Sequence, residues 1–286
     1  MPKSLLTRVV VDSTSSLLPE DIGDLPISVV PLQITLNDQD YKDSIDLTAE
    51  EFYRRISIAG TKASTAAPTP AAFETSFTAD QTDVLCITLS SQLSATYNVA
   101  RLAVDLCGST GSAQRIRLLD SATAGGAQGL IALAAARSAM EGETLDSVFR
   151  TANATASRVY FIGVLETVEY LRRSGRIPRV ASWAVSLLNI KPVLAINPGE
   201  GKIRMMGRPR SKSKAIEMIL DFIATKAGGT PLHVIAMHAA RPDEAKFLME
   251  RIKSRFKCAE ALTVPFTPVI GAHTGPGLLG VAFYSE

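Results

Sequence analysis

The sequence is poor in the residues that build metal sites, redox centres and disulfide frameworks. Three cysteines and three histidines occur among 286 residues. Neither set has the paired spacing of a zinc site or of a disulfide-bonded protein. We therefore expect no metal and no cofactor. We expect Cys86, Cys107 and Cys258 to be buried, reduced thiols, as in a cytoplasmic protein.

Charge of one sign and long apolar runs are also scarce. The net charge is only +2, although the chain has 30 lysines and arginines, so no strong field favours nucleic acid or an anionic membrane as a partner. The most apolar helical stretch, 129–136, ends at Arg137 and is too short to cross a bilayer. Met1-Pro2-Lys3 leads directly into a strand pattern with no signal-peptide core. These features predict a cytoplasmic protein without an integral membrane segment.

Three common motifs are missing as well. No Walker A sequence and no Gly-x-Gly-x-x-Gly follows a predicted strand, which leaves nucleotide binding without support. No Gly-x-Ser-x-Gly elbow is present, so the signal for a serine hydrolase is weak. The sequence does have 46% hydrophobic and 20% charged residues, which is the composition of a packed globular protein.

Hydroxyl groups are concentrated in the stretch 89–97. Besides its tyrosine, this stretch contains Ser90, Ser91, Ser94 and Thr96. A near-continuous apolar run precedes it and a helical spacing follows it, so we predict a turn between a buried strand and a helix. The unpaired N–H groups and partial positive charge of a helix N-terminus favour an anion there. The alternative is that the serines only cap the helix.

Strand and helix patterns alternate through the first half of the chain. Strands are predicted at 7–11, 27–36, 83–89, 115–119 and 159–164. This alternation predicts an α/β fold in which residues 1–167 form a doubly wound, mostly parallel sheet. Ligands bind beyond the carboxyl ends of the strands in such sheets, and three of these strands end in Asp-Ser or Ser-Ser.

The second half of the chain has a different pattern. A hairpin near 190–206 and β-α-β units predict a smaller α+β domain over residues 168–286. We expect the last strand, within about 270–286, to pack near the interface between the two domains.

A second candidate cluster is His273-Thr274-Gly275-Pro276-Gly277. Its glycines permit close approach of the backbone to a ligand, and its imidazole can donate a hydrogen bond to an anion or act as a base. A tight turn with a solvated imidazole is the alternative. Within the basic segment 204–214, only Arg210 is favoured as a ligand for carboxylate or phosphate over a solvated surface charge.

Several further elements occur together with these clusters in one order. They are Asp12-Ser13-Thr14, Pro31-Leu32, Thr65 with Pro68 and Phe73, Ser90-Ser91-Gln92-Leu93-Ser94 with Thr96-Tyr97, Asp120-Ser121, Tyr170-Leu171 with Gly175-Arg176-Ile177, Leu188-Asn189-Ile190-Lys191-Pro192, Arg210 before Lys214-Ala215, and the His273 cluster. The set resembles the DegV family of bacterial fatty-acid-binding proteins from the first strand to the last.

The resemblance implies a two-domain α/β protein that holds one long-chain fatty acid, such as palmitate, in a tunnel between the domains. It implies a binding protein with no catalytic residue of its own. A dihydroxyacetone-kinase-like partner would phosphorylate the carboxylate, and the acyl phosphate would feed phospholipid synthesis. By position, the carboxylate contacts would be Thr65, Ser94 and His273, supported by Ser91, Thr96, Gly275 and an Arg210 near the mouth of the site.

The chain departs from the family pattern at two places. Ala66-Ala67 stands where the family usually has Ser-Gln after the threonine, and Ala95 stands where it has glycine. Thr65 and Ser94 keep their hydroxyls, but a loop hydroxyl is lost and the turn has less backbone freedom. We expect a shifted ligand preference or weaker binding of the headgroup.

Two hypotheses of other classes stay open from the sequence. One is a serine hydrolase that uses Ser94 and His273. The other is a phosphate or small-anion binding module that uses the same helix N-terminus.

Overall fold

The computed structural model describes residues 5–108, 115–176 and 190–286. Within them the strands are β1 (Thr7–Asp12), β2 (Ile27–Val30), β3 (Gln33–Leu36), β4 (Gln39–Lys42), β5 (Ala63–Ala66), β6 (Asp83–Thr88), β7 (Ile116–Asp120), β8 (Tyr160–Val164), β9 (Val193–Ile196), β10 (Arg204–Gly207), β11 (Leu232–His238), β12 (Cys258–Pro265) and β13 (Leu279–Ser285). The helices are α1 (Pro19–Ile22), α2 (Ala49–Ile56), α3 (Pro70–Phe77), α4 (Thr96–Gly108), α5 (Gly126–Met140), α6 (Leu145–Ala156), α7 (Glu169–Ser174), α8 (Lys212–Lys226), α9 (Pro242–Arg255) and α10 (Pro268–Thr274).

The strands form three sheets. The first is parallel throughout, in the order β2-β1-β6-β7. The second has six strands in the order β10-β9-β8-β13-β11-β12, and only β11 and β12 run parallel. The third is a small antiparallel sheet, β4-β3-β5. The predicted α/β fold class, with a mostly parallel sheet in the first half, is confirmed.

Helix α5 lies between the two large sheets. It contacts β1 and β6 on one side and β11 and β13 on the other. Eleven of its fifteen residues are buried, because sheets cover the helix on two sides. Helices α3 and α4 cover the other face of the parallel sheet, and α8 and α9 cover the other face of the six-stranded sheet.

The sheet assignment of one predicted strand is wrong. The sequence pattern at 159–164 was expected to continue the N-terminal parallel sheet. Strand β8 instead pairs antiparallel with β9 and β13 in the six-stranded sheet. The sequence of a strand specifies which of its faces are apolar. The strands with which it pairs depend on the packing of segments that are distant in the chain. The domain division after residue 167 stays a prediction.

Two other segments differ from expectation in detail. The single extended run predicted at 27–36 is split near Pro31 into β2 and β3, which belong to different sheets. The tight turn that the sequence leaves open as the alternative at His273 is instead the last turn of the short helix α10. The sequence also predicts a helix that starts around Trp183, and this segment lies outside the described residues.

The sequence predicts a Thr48 cap at the start of one helix and Gly175 at the end of another, and the structure has both. The Thr48 hydroxyl accepts a hydrogen bond from the Glu51 N–H at the start of α2. Gly175, predicted at the end of α7, adopts the left-handed conformation with φ 69°. In the part of the chain that the structure describes, no helix is long and apolar enough to cross a membrane.

Close packing of α5 gives a prediction about stability. An alanine at Gly129 would place its Cβ 2.7 Å from the backbone carbonyl oxygen of Ser15. In an exposed helix, replacing glycine with alanine raises the free energy of unfolding by about 1 kcal/mol. At Gly129 the close contact with the Ser15 carbonyl oxygen outweighs this gain. We predict that Gly129→Ala lowers the free energy of unfolding by about 1–2 kcal/mol. Urea unfolding of Gly129→Ala measures this loss, and Ser138→Ala on the same helix is the control. An unchanged unfolding midpoint in Gly129→Ala would contradict the close contact.

Candidate functional site

A cavity of about 320 Å³ opens at the carboxyl end of the parallel sheet. Leu89 and Leu93, which follow β6, line one side, and Phe161, Leu194 and Ile196 from the six-stranded sheet line the other. Aliphatic and aromatic side chains make up most of the wall. Such a cavity favours a ligand with a long apolar part.

Thr65 and His273 form the main polar contact in the cavity wall. Thr65 lies on the small antiparallel sheet and His273 in the last turn of α10, 208 residues apart, and the Thr65 Oγ1 to His273 Nε2 distance is 2.8 Å. Both side chains line the cavity. Two of the three predicted carboxylate contacts therefore meet through a direct hydrogen bond.

His273 is a neutral imidazole at physiological pH. Burial, with a smaller effect from the positive charge of Arg176, lowers the His273 pKa from 6.5 to about 4. The other ring nitrogen, Nδ1, is buried and has no hydrogen-bond partner among the described residues. A buried polar atom without a partner is uncommon.

The hydrogen count of this pair leaves one donor for a ligand. If Nε2–H donates to the Thr65 oxygen, the Thr65 hydroxyl hydrogen is free to donate. If the Thr65 hydroxyl donates to Nε2, the remaining imidazole hydrogen is on Nδ1. The first arrangement offers the Thr65 hydrogen to an anion from a neutral site, which suits a carboxylate entering an apolar cavity. In the second arrangement the Nδ1 hydrogen is enclosed by the protein.

Ser94, the third predicted contact, also lines the cavity. It lies just before α4, where its hydroxyl is 2.9 Å from the Thr96 hydroxyl and accepts a hydrogen bond from the Thr96 N–H. Thr96 is fully buried and does not line the cavity. Its role in this structure is to hold the Ser94 side chain at the start of the helix.

The remaining predicted supporting residues lie outside the cavity wall. The Ser91 backbone N–H donates to the Asp120 carboxylate at 3.2 Å. Gly275 ends α10 with φ 72°, and a Cβ there would lie 2.3 Å from the Tyr170 ring. Arg210 is exposed before α8. Gly275 thus shapes the backbone around His273, and Arg210 is available at the surface.

Sequence reasoning missed one charged residue of the cavity. Arg176, which follows α7, lines the wall and lowers the His273 pKa. Its place in the Gly175-Arg176-Ile177 motif does not indicate this role, because no local pattern distinguishes it from the surface arginines beside it. Arg176 adds positive potential to the polar end of the cavity.

The residues that depart from the family pattern all lie on the cavity wall. Ala66 and Ala67 follow Thr65 there, and Ala95 follows Ser94. All three side chains are small and apolar, so the departures change the cavity wall next to Thr65 and Ser94. The predicted contacts Thr65, Ser94 and His273 are still present in the wall.

The geometry does not support a serine hydrolase. Such a site needs the serine hydroxyl on the histidine and a carboxylate behind the imidazole. In the structure His273 Nε2 contacts Thr65, and the Ser94 hydroxyl contacts Thr96. Across residues 5–108, 115–176 and 190–286, no group of three histidine, cysteine or carboxylate side chains is arranged to hold a metal ion.

Known proteins resemble the chain over nearly its whole length. A family model described as an uncharacterised protein of the DegV family matches residues 7–286. A DegV domain-containing protein of Clostridium acetobutylicum is 30% identical over 288 residues, with 99% of each chain covered.

Two solved structures have the same fold. A DegV family protein from Thermus thermophilus, described for its fatty acid binding, has a TM-score of 0.89 and 29% identity over 98% of this chain and 99% of that one. A DegV family protein from Ruminococcus gnavus, refined with vaccenic acid, has a TM-score of 0.89 and 25% identity over 98% of this chain and 100% of that one.

Burial of His273 gives a prediction about pH. Unfolding exposes the imidazole and returns its pKa to 6.5 from about 4, so the unfolded chain binds the extra proton between these values. As pH falls through this window, the wild type should lose up to about 3 kcal/mol of unfolding free energy relative to His273→Asn. Urea unfolding of both proteins at pH 7, 5.5 and 4 measures the difference between their unfolding free energies. The other titrating groups are the same in both proteins, so their contributions cancel. Parallel profiles would contradict the burial of the neutral ring.

Proposed function

This chain belongs to the DegV family, and on that premise we propose that it binds one long-chain fatty acid, such as palmitate, in its cavity. The carboxylate is held by Thr65, Ser94 and His273, and the protein performs no chemistry on it. The observation that carries this proposal is the hydrogen-bonded Thr65–His273 pair facing an otherwise mainly apolar cavity. A water-soluble anion would leave most of that wall without a partner.

The acyl chain supplies the affinity. Each buried methylene contributes about 0.8 kcal/mol, so a chain of some fifteen contributes on the order of 12 kcal/mol before the costs of association. No directional contact is required for this part of the ligand. Chain length and unsaturation are therefore governed by the shape of the wall.

The polar residues supply the orientation. A bare carboxylate in a low-dielectric cavity is strongly unfavourable. Thr65, Ser94 and His273 offer hydrogen bonds to it, and Arg176 offers positive charge nearby. The headgroup end of the cavity is thereby fixed at α10, and the tail lies against the six-stranded sheet.

The finer part of the proposal concerns a partner. A dihydroxyacetone-kinase-like protein phosphorylates the bound carboxylate in the cytoplasm, and the acyl phosphate feeds phospholipid synthesis. The family resemblance supports this role, and the exposed side chain of Arg210 suits contact with phosphate or an acidic surface.

Headgroup variants test the binding site. We predict that Thr65→Val and His273→Ala each weaken palmitate binding about 10- to 100-fold, because each removes a hydrogen bond to a charged group. Calorimetry after removal of co-purified lipid measures the dissociation constant. Mass spectrometry of the untreated protein should find one fatty acid per chain.

The control for these variants is Thr155→Val. Thr155 is also buried and hydrogen-bonded, but to Thr151 within α6 and away from the cavity. The palmitate affinity of Thr155→Val should equal that of the wild type. Unchanged binding in both headgroup variants would reject the site, and a wild type that neither carries nor takes up fatty acid would reject the function.

A second experiment tests the kinase partner. We predict that Arg210→Ala keeps wild-type affinity for palmitate but loses most transfer of labelled phosphate from ATP by the source organism's dihydroxyacetone-kinase-like protein. Arg208→Ala, an exposed neighbour, is the control. Equal phosphate transfer in wild type and Arg210→Ala would exclude this role for Arg210. No transfer with the wild type would exclude the partnership.

A further inference from the structure

Asp43 is a buried carboxylate close to the ligand site but outside its wall. It follows β4 and is 1% exposed. One carboxylate oxygen accepts a hydrogen bond from the Ser13 hydroxyl at 2.6 Å, and the other accepts one from the backbone N–H of Val269 at 3.1 Å. The proposed fatty-acid site does not include Asp43 among its contacts.

These two bonds join Asp43 to elements that line the cavity. Val269 lies in the first turn of α10, and His273 lies one helical turn further on. Ser13 accepts a hydrogen bond from the Leu32 N–H at 3.1 Å, and both Leu32 and Val269 line the cavity. The orientation of α10 therefore depends on a carboxylate that faces its N-terminus.

We infer that Asp43 is a positioning residue for fatty-acid binding, which fixes α10 so that the His273 imidazole meets Thr65 and the ligand carboxylate. This inference rests on the proposed function, because it assigns to Asp43 a role in that same site. Asp43 touches no part of the ligand and acts through His273.

The charge of Asp43 matters for this role. A carboxylate accepts both the Ser13 and Val269 hydrogen bonds in charge-assisted form, and it interacts favourably with the helix N-terminus. Burial raises the Asp43 pKa to about 6. The titratable groups that face it are Asp12 on β1 and Tyr53 on α2. Burial also raises the pKa of both, which favours their neutral forms, and neither type of side chain can carry a positive charge.

A double-mutant cycle separates positioning from a general structural role. Asp43→Asn keeps the size of the side chain but removes its charge. We expect it to weaken palmitate binding about five- to tenfold in the wild-type background and by less than about twofold in the His273→Ala background. A loss that is equal in the two backgrounds would overturn the inference, because Asp43 would then act independently of His273.

The pH profile provides a second readout. The advantage of the wild type over Asp43→Asn should shrink towards unity as the pH falls from 8 to 5, since Asp43 becomes protonated near pH 6. Titration of the fatty acid itself is common to both proteins and cancels in the ratio. A ratio that stays constant over this range would contradict a role for the charge.

A ligand-free measurement keeps the inference separate from the proposed function. The ¹⁵N shifts of the His273 ring report its tautomer and its contact with Thr65, and they should change in Asp43→Asn. If the wild type takes up no fatty acid, the proposed function fails, and these shifts alone decide the positioning role. Unchanged ring shifts would overturn it.

Two further variants complete the design. If Asp43→Asn does not fold, Ser13→Ala removes one of the two bonds and should change the His273 shifts in the same direction but less. Glu260→Gln is the matched control, because Glu260 is a mostly buried, ion-paired carboxylate on β12 outside the cavity wall. A Glu260→Gln effect on His273 equal to that of Asp43→Asn would also overturn the inference.

Discussion

The hydrogen bonds of the buried Asp12 carboxyl group hold together the elements that form the candidate site. Asp12 ends β1 without solvent exposure and accepts hydrogen bonds from the Leu89 N–H at 2.7 Å and the Gln128 amide at 3.0 Å. It thereby joins β1 to the hydroxyl-rich turn before α4 and to α5. Each buried donor left without this partner would lower the free energy of unfolding by about 1–3 kcal/mol. Asp12 therefore anchors the start of the Ser94 turn, and the Ser91–Asp120 hydrogen bond holds it further along.

Asp12 is the centre of a buried hydrogen-bond network. Its Oδ1 accepts hydrogen bonds from the Thr14 hydroxyl and the Thr14 N–H, and the Thr14 hydroxyl also lies 2.8 Å from Gln128 Oε1. The Gln128 NH₂ donates to both Asp12 and the Ile87 carbonyl. Complete burial raises the pKa of Asp12, which favours its neutral form, and the hydrogen bonds that it accepts act in the opposite direction. Each polar atom of the network thus has a partner in the apolar interior next to the cavity.

Local patterns were sufficient for most strands and helices, because apolar spacing and capping residues are encoded within a few positions. They could not specify which sheet β8 joins, since that choice is made by its pairing with β13. Thr65, Ser94 and His273 were named from the family resemblance, but the hydrogen bond between Thr65 and His273 spans 208 residues. Arg176 was missed because its function is defined only by its position beside that pair.

For the fatty acid that we propose as the ligand, the two parts of the cavity respond differently to substitution. Tail affinity depends on buried area, so a substitution on the wall shifts it in steps of about 0.8 kcal/mol per methylene. Headgroup binding depends on a few donors, and losing one leaves a carboxylate oxygen unpaired. Ala66, Ala67 and Ala95 belong to the first kind, because they change the volume beside the donors and remove none of the three. These alanines should therefore adjust which acid fits while the carboxylate keeps its place at His273.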